Sequence, residues 1–413
     1  MSKRPDAPSR VPRELDTWVL AGQSNMQGRA WLRGALQPDR RVWSFSSAGA
    51  WEQAAEPLHR LWESFTPAHQ GLMRDGMSAA QMAVSDQEYA RREAAEGTNG
   101  AGLGISFGKA MADALRRPIG LIPAAHGGTT LGQWCESGKG TDHLYGAMLE
   151  RIRKAGGRLR GVLWYQGESD AAELADATSY AERLDRWIAA LRSDTGIPAL
   201  PIVAVQIGRV LPPSIRADRI TAWDHVKEAL GTLPQRTPAT AVTSAVDLPL
   251  TDSIHISTPG LIRLGRRMSR LALRLTERPD IPAGPRIRSI EPWLTPGGQA
   301  NGLRIRFQGM TGEWSRTDTI RGFALHAAEG EGAGAVAGEA GAPPIIVNAW
   351  VDEEAADGSV LLLLDRPPLP AERLSYAFGT DPLCDLVDGA DMPLCAFMPR
   401  RLAMDGEGEP STD

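Results

Sequence analysis

Six short runs, at residues 17–21, 41–45, 119–124, 161–165, 201–206 and 240–246, are almost wholly apolar instead of alternating apolar with polar. A strand with one wet face alternates. A run without alternation is buried on both faces, as in a parallel sheet covered by helices. Between and after these runs lie helical patterns at 104–116, 173–192, 218–230 and 259–277. In the last of them Leu261, Leu264, Met268, Leu271 and Leu275 recur at helical spacing and mark a core-facing stripe. Thr258 is the expected cap of that helix, with Pro259 at its first position. The first ~280 residues therefore predict an α/β domain whose parallel sheet lies between layers of helices.

The 413 residues exceed one ordinary domain, since ~150 residues is the usual size. Past residue 277 the pattern changes. Pro282, Pro285, Pro292 and Pro296 punctuate what reads as a linker, and runs at 303–307, 322–326, 345–350, 360–364 and 373–378 predict a small C-terminal β-sandwich. The Gly/Ala-rich stretch 330–344 reads as a flexible hairpin loop, because it lacks the strand-then-helix context of a phosphate loop. The expected organisation is a disordered tail at 1–14, the α/β domain at 15–280, the β-rich unit at 281–400 and a second tail at 401–413. Residues 62–99, rich in Met, Gln and Glu, interrupt the α/β pattern and read as a lid-like insertion.

Lys and Arg number 45 against 50 Asp and Glu, a net charge of −5. No polybasic footprint exists, so nucleic acid is not an expected partner. No run reaches the ~20 apolar residues a membrane helix needs, and no membrane partner is expected. Residues 1–16 are polar and lack the apolar core of a secretory signal, which leads to the expectation of a cytoplasmic location. Three cysteines, Cys135, Cys384 and Cys395, cannot build a disulfide framework. The seven histidines fall in no His-Glu-x-x-His pattern and no Cys-x-x-Cys exists, so no metal is expected.

Two serines compete as nucleophile. Gly104-Ile-Ser106-Phe-Gly108 fits a Gly-x-Ser-x-Gly elbow, but residues 91–102 before it are charged and Gly-rich and do not read as the buried strand that motif requires. Ser24, in Gly22-Gln23-Ser24-Asn25-Met26, directly follows the first expected strand. In a doubly wound sheet the carboxyl ends of the strands border the crevice where ligands bind. Taken alone, Gly-Gln-Ser-Asn reads equally well as a polar helix cap.

Three further loops follow strands at that same end. Asp252-Ser-Ile-His255 sets a carboxylate and an imidazole on one bend, the pairing a general base requires, although such a pair alone is more often a surface turn. His126-Gly127-Gly128-Thr129 offers glycine N–H groups that can approach a substrate oxygen. Gln166-Gly167-Glu168-Ser169-Asp170 offers a side-chain amide, or an ordinary turn capped by Ser169 or Asp170. Ser, Gly, Gln and Asp-x-x-His at four strand ends make a stronger set than any member.

These blocks resemble the SGNH hydrolase superfamily, and more narrowly its sialate O-acetylesterase and plant-type acetyl-xylan esterase branch. Gly22-Gln-Ser-Asn-Met, Gly127-Gly-Thr-Thr, Trp164-Tyr-Gln-Gly-Glu-Ser-Asp170 and Asp252-x-x-His255 followed by Gly260 and Leu264-Gly-Arg266 carry the likeness, over roughly residues 15–275. The text from Leu374 to Phe397 is similar to the β-rich appendage of such proteins.

The resemblance implies a flavodoxin-like three-layer α/β/α fold and hydrolysis of acetyl esters of carbohydrate through a serine ester, without cofactor. Ser24 is implied as nucleophile, His255 as general base and then acid, and Asp252 as the group orienting it. The implied oxyanion hole is the Ser24 N–H, the Gly128 N–H (Gly127 being the alternative) and the Gln166 side chain. Gln23, Trp134 and Glu168 are implied at the substrate, Glu168 alternatively as a support behind the site. On that reading Gln166→Ala lowers turnover and leaves folding intact.

Two rivals stand beside the carbohydrate esterase. One is an esterase of lipid, thioester or aryl ester, which the triad does not discriminate. Trp31, Trp43, Trp51, Trp62 and Trp134 lean towards sugar, because indoles offer flat apolar faces, though tryptophan is also common core filling. The other is a carbohydrate-binding protein whose sandwich does the binding while the triad is idle.

Overall fold

The computed structural model of the chain describes residues 11–402 apart from 13, 76–98, 213, 216–219, 328–342 and 356. The six apolar runs all become strands of one seven-stranded sheet, in the order Trp51–Gln53, Val42–Phe45, Ile119–Pro123, Asp16–Gly22, Arg158–Tyr165, Ile202–Gln206, Thr240–Ser244. The pairings are parallel except at the Trp51–Gln53 edge, which runs antiparallel to Val42–Phe45. Every residue of Asp16–Gly22, Ile119–Pro123 and Ile202–Gln206 is buried, which is what the lack of alternation demanded.

The chain begins in the middle of this sheet, builds outward to one side, and then crosses to the other. The carboxyl end of Asp16–Gly22 therefore lies at the switch point of the sheet, where the loops leaving neighbouring strands diverge and leave a crevice.

Helices Gly104–Leu115, Leu144–Ala155, Leu174–Thr195, Ile220–Gly231 and Thr258–Thr276 cover the sheet. Trp18 meets Phe107 edge-on at 5.3 Å on one side, and Trp164 meets Trp187 at 4.4 Å on the other. Helix Leu144–Ala155 is absent from the sequence reading. Its inward stripe carries Arg151, only 1% exposed, which breaks the apolar pattern. That guanidinium donates to the carbonyls of Phe45 and Ser46, at 2.8 and 3.0 Å, where the Val42–Phe45 strand ends. The helix beginning at Thr258 is capped by Ser257, whose hydroxyl accepts from the Gly260 N–H; Thr258 is its first residue, not its cap.

Past residue 280 two antiparallel sheets enclose a second core of Leu303, Ile305, Val360, Leu362, Leu374, Tyr376 and Leu394. One has four strands, ordered Arg286–Trp293, Gly302–Gln308, Val360–Leu364, Ile346–Val351; the other has three, ordered Phe323–His326, Arg373–Tyr376, Phe397–Arg401. The proline-punctuated linker is thus corrected, since Arg286–Trp293 is a strand. It lies at a sheet edge, where the missing N–H of Pro292 leaves no ladder bond unmade.

This unit is bolted to the α/β domain by buried polar contacts. The Gln206 amide both donates to and accepts from Ala396, each at 2.8 Å. Lys227, 2% exposed, reaches the carbonyls of Ala377 and Gly379 at 2.7 Å and pairs with Asp224 at 2.6 Å. The Gly/Ala-rich loop, most of the insertion and most of both tails lie outside the described residues.

Candidate active site

The first strand ends on Gly22, whose φ of +134° is open to glycine, and any Cβ there would lie 2.0 Å from the Tyr165 carbonyl oxygen. The Gln23 N–H then closes on that same carbonyl at 2.9 Å, which turns the chain sharply and starts the single-turn helix Ser24–Gln27. Ser24 is therefore the first residue of a helix at the carboxyl end of the central strand, with its N–H bonded to no group among the described residues.

From across the crevice comes the loop between Thr240–Ser244 and Thr258–Thr276. His255 Nε2 lies 3.1 Å from Ser24 Oγ, and His255 Nδ1 lies 2.7 Å from Asp252 Oδ2. The other Asp252 oxygen accepts from the N–H groups of Ile254 and His255 at 2.9 and 2.8 Å, which bends the loop so that carboxylate and imidazole face each other. Burial pushes the Asp252 carboxyl up, but the bonds from the His255 ring and these backbone groups outweigh it and hold the carboxyl below its ordinary range. Asp252 thus stays charged and anchors Nδ1–H, leaving Nε2 as the acceptor that faces the serine.

Asn25 ties the two halves together. Its amide donates to Glu168 Oε1 at 2.8 Å and to the Ile254 carbonyl at 3.3 Å, while its oxygen accepts from the Ile256 N–H at 3.0 Å. Sequence alone assigns this residue no role, its place beside the serine being the one signal for it. Glu168 is 6% exposed and gives one carboxylate oxygen to Asn25, in the place of a support behind the serine turn, while its Oε2 has no partner among the described residues. Burial, only partly offset by the Asn25 bond, pushes its carboxyl up to about 7.

The loop after Ile119–Pro123 supplies the donors opposite. Gly127 spends its N–H on Gln27 Oε1 at 2.8 Å, and a Cβ on it would stand 3.4 Å from Ser24 Cβ. Gly128, with φ +71° and nothing within 4 Å of the Cβ it lacks, keeps its N–H free of any partner among the described residues. Of the two adjacent glycines, Gly128 is the one with a donor to offer. Behind them His126 and His69 stack 5.2 Å apart with their Nδ1 atoms at 2.9 Å, a pair that sequence spacing does not reveal. Burial holds His126 down at about 4 and His69 well below the ordinary imidazole range.

Gln166 is placed differently from its expected role. Its amide is fully buried and donates to Asp170 Oδ2 at 2.6 Å, the Thr129 carbonyl at 3.0 Å and Gln23 Oε1 at 3.2 Å. Both amide hydrogens are consumed by protein acceptors, so Gln166 holds Gln23 and the glycine loop in place and has none left for an oxyanion. Gln23 instead turns its oxygen inward, accepting from the Ser169 and Gly167 N–H groups at 3.2 and 3.4 Å as well as from Gln166. Its own NH₂ has no partner among the described residues.

Trp134 is corrected too. It is fully buried, edge-on to Trp164 at 5.6 Å, with its indole N–H on Thr129 Oγ1. Trp43 is likewise core. Trp31, 54% exposed, has its carbonyl bonded by the Thr258 hydroxyl, three residues beyond His255. Ser106 lies inside helix Gly104–Leu115 and donates to the Ile262 carbonyl at 2.6 Å, away from the crevice.

Residues 14–274, well over half of the chain, match the sequence profile described as carbohydrate esterase, sialic acid-specific acetylesterase. The chain belongs to the sialic acid-specific acetylesterase family of carbohydrate esterases. Similarity to a probable carbohydrate esterase of Arabidopsis thaliana is 31% identity over 292 residues, 65% of this chain and 94% of that one. Among solved structures, a carbohydrate acetylesterase of Xanthomonas citri superposes with a TM-score of 0.64 at 18% identity, covering 92% of this chain and 80% of that one. That likeness extends the shared fold beyond the family's α/β domain into the C-terminal β unit.

Proposed function

We propose that the chain hydrolyses O-acetyl esters of carbohydrate through an acyl-enzyme on Ser24. The observation that carries this reading is the line Asp252 Oδ2, His255, Ser24 Oγ, with spacings of 2.7 and 3.1 Å. His255 Nε2 takes the Ser24 proton as Oγ attacks the acetyl carbonyl, and the negative charge on the carbonyl oxygen is received by the Ser24 N–H, the Gly128 N–H and the Gln23 amide. The tetrahedral adduct collapses, and the sugar hydroxyl leaves with the proton from His255. Water, deprotonated by the same nitrogen, then attacks the acetyl-serine and releases acetate, regenerating Ser24. Trp31 offers the exposed indole against which a pyranose ring can rest. No step calls for a cofactor.

The test is hydrolysis of 4-nitrophenyl acetate and of acetylated xylan and O-acetyl sialic acid by the wild type, Ser24→Ala and Ser106→Ala. Ser24→Ala is expected to lose at least about 10³-fold in kcat, as removal of a triad member does elsewhere. Ser106→Ala is expected to retain the wild-type rate. Activity surviving in Ser24→Ala would overturn the assignment.

A further inference from the structure

The outer face of the four-stranded C-terminal sheet holds a cleft of about 700 Å³. The inner face sends Leu303, Ile305, Val360 and Leu362 into the core, so Arg304, Leu361 and Leu363 point the other way. Strand register sets Trp293, Gly302, Leu363 and Asn348 in one row across the sheet, and Glu291, Arg304, Leu361 and Trp350 in the next. A Cβ on Gly302 would lie 2.3 Å from Trp293 Cε3, so the glycine is what lets this indole lie down against the strand. Trp350 meets it edge-on, with centroids 5.8 Å apart and planes at 79°. Two indoles thus stand at right angles on a face to which the core makes no demand.

Apart from the indoles, Leu361, Leu363 and Pro296, the lining is polar. Asp352, 4% exposed, pairs with Arg304 at 2.9 Å at the floor of the cleft. Asn348 spends its oxygen on the Ala349 N–H, which leaves its exposed NH₂ without a partner among the described residues. Asp318 and Glu353 add carboxylates, so acidic groups outnumber the single guanidinium. Flat apolar rings beside oriented amide and carboxylate groups match a pyranose, which has C–H faces and a rim of hydroxyls. The negative balance disfavours acidic sugars.

We propose that this cleft binds a neutral pyranose oligosaccharide at a site separate from Ser24. It uses no residue of the candidate active site and stands whether or not Ser24 is the nucleophile.

The experiment is affinity electrophoresis of the full chain in native gels containing soluble xylan, glucomannan, galactan or, as an acidic comparison, polygalacturonate. The wild type and Ser24→Ala are expected to be retarded equally by at least one neutral polymer and not by polygalacturonate. Trp293→Ala and Trp350→Ala should each weaken that affinity about tenfold, the scale of a lost aromatic contact together with its buried area. Asn348→Ala, a change at an exposed side chain, should weaken it as well, and near-ultraviolet circular dichroism and Tm verify that each variant is folded. The proposal is overturned if no neutral polymer retards the wild type, if polygalacturonate alone does so, or if retardation is undiminished in folded Trp293→Ala and Asn348→Ala.

Discussion

A carboxamide near Ser24 has one of two jobs, and which glutamine does which is decided by where its hydrogens go. Gln166 gives both to protein acceptors, whereas Gln23 gives neither. Gln23→Glu keeps an oxygen for the Ser169 and Gly167 N–H groups and removes the NH₂ that no described residue binds. A fall in kcat of about 10²–10³ with little change in KM is expected, the cost of one oxyanion donor. Gln166→Ala, by contrast, strands the buried Asp170 and Tyr180 groups and should lower Tm, against the expectation that folding stays intact.

Glu168 yields a pH signature of its own. Its carboxyl moves from an ordinary 4.5 up to about 7 on folding, so the folded state holds the proton more tightly. Stability from this group is complete below pH 4.5 and is lost as pH rises through about 7. Glu168→Gln, permanently neutral, should therefore gain stability relative to the wild type between those values, as read from urea midpoints across pH. The positions of Ser24, Asp252 and His255 were legible because each follows a strand, and strand ends are ordered by topology. The directions of Gln166, Glu168 and Trp134 were not, since a loop residue's neighbour in sequence says nothing about which side of the loop is solvent.

At the level of elements, the legible features were those whose burial is uniform. All six apolar runs became strands, because burial on both faces leaves a composition signal that needs no knowledge of the partner strand. Helix Leu144–Ala155 escaped notice because an arginine occupies its inward stripe, solvated there by carbonyls that belong to another element. The strand Arg286–Trp293 is hidden because Pro292 and the prolines flanking it mimic a linker, and only its edge position makes Pro292 tolerable. The helix that follows His255 begins one residue earlier than its Thr-Pro pair suggests. Ser257→Ala is expected to cost about 0.5–1 kcal/mol in urea denaturation, and the corresponding change at Thr258 should not act through the cap.

The whole molecule is held as one by groups that an α/β domain would not need alone. Lys227 and Asp224 are each 2% exposed and face the chain around residues 377–379 of the C-terminal unit. Asp224→Ala leaves an ammonium buried beside carbonyls alone and is expected to cost about 3–5 kcal/mol. Because the bond crosses the two cores, the loss should appear as a lower urea midpoint for the α/β domain as well, followed by the fluorescence of its buried tryptophans. Nothing in local sequence pattern announces such a pair, since each residue reads as part of a solvated helix face until its partner, some 150 positions away, is known.

Asn25 recognises only main-chain atoms on the histidine loop, the carbonyl of Ile254 and the N–H of Ile256. Peptide groups are the same whatever side chains they carry. The alignment of imidazole with serine is therefore insulated from the identities of Ser253 and Ile254, both partly exposed, while Ile256 is held in the core. Evolution, or a protein engineer, can rewrite those two exposed side chains to suit a differently shaped alcohol and keep the reactive geometry in register.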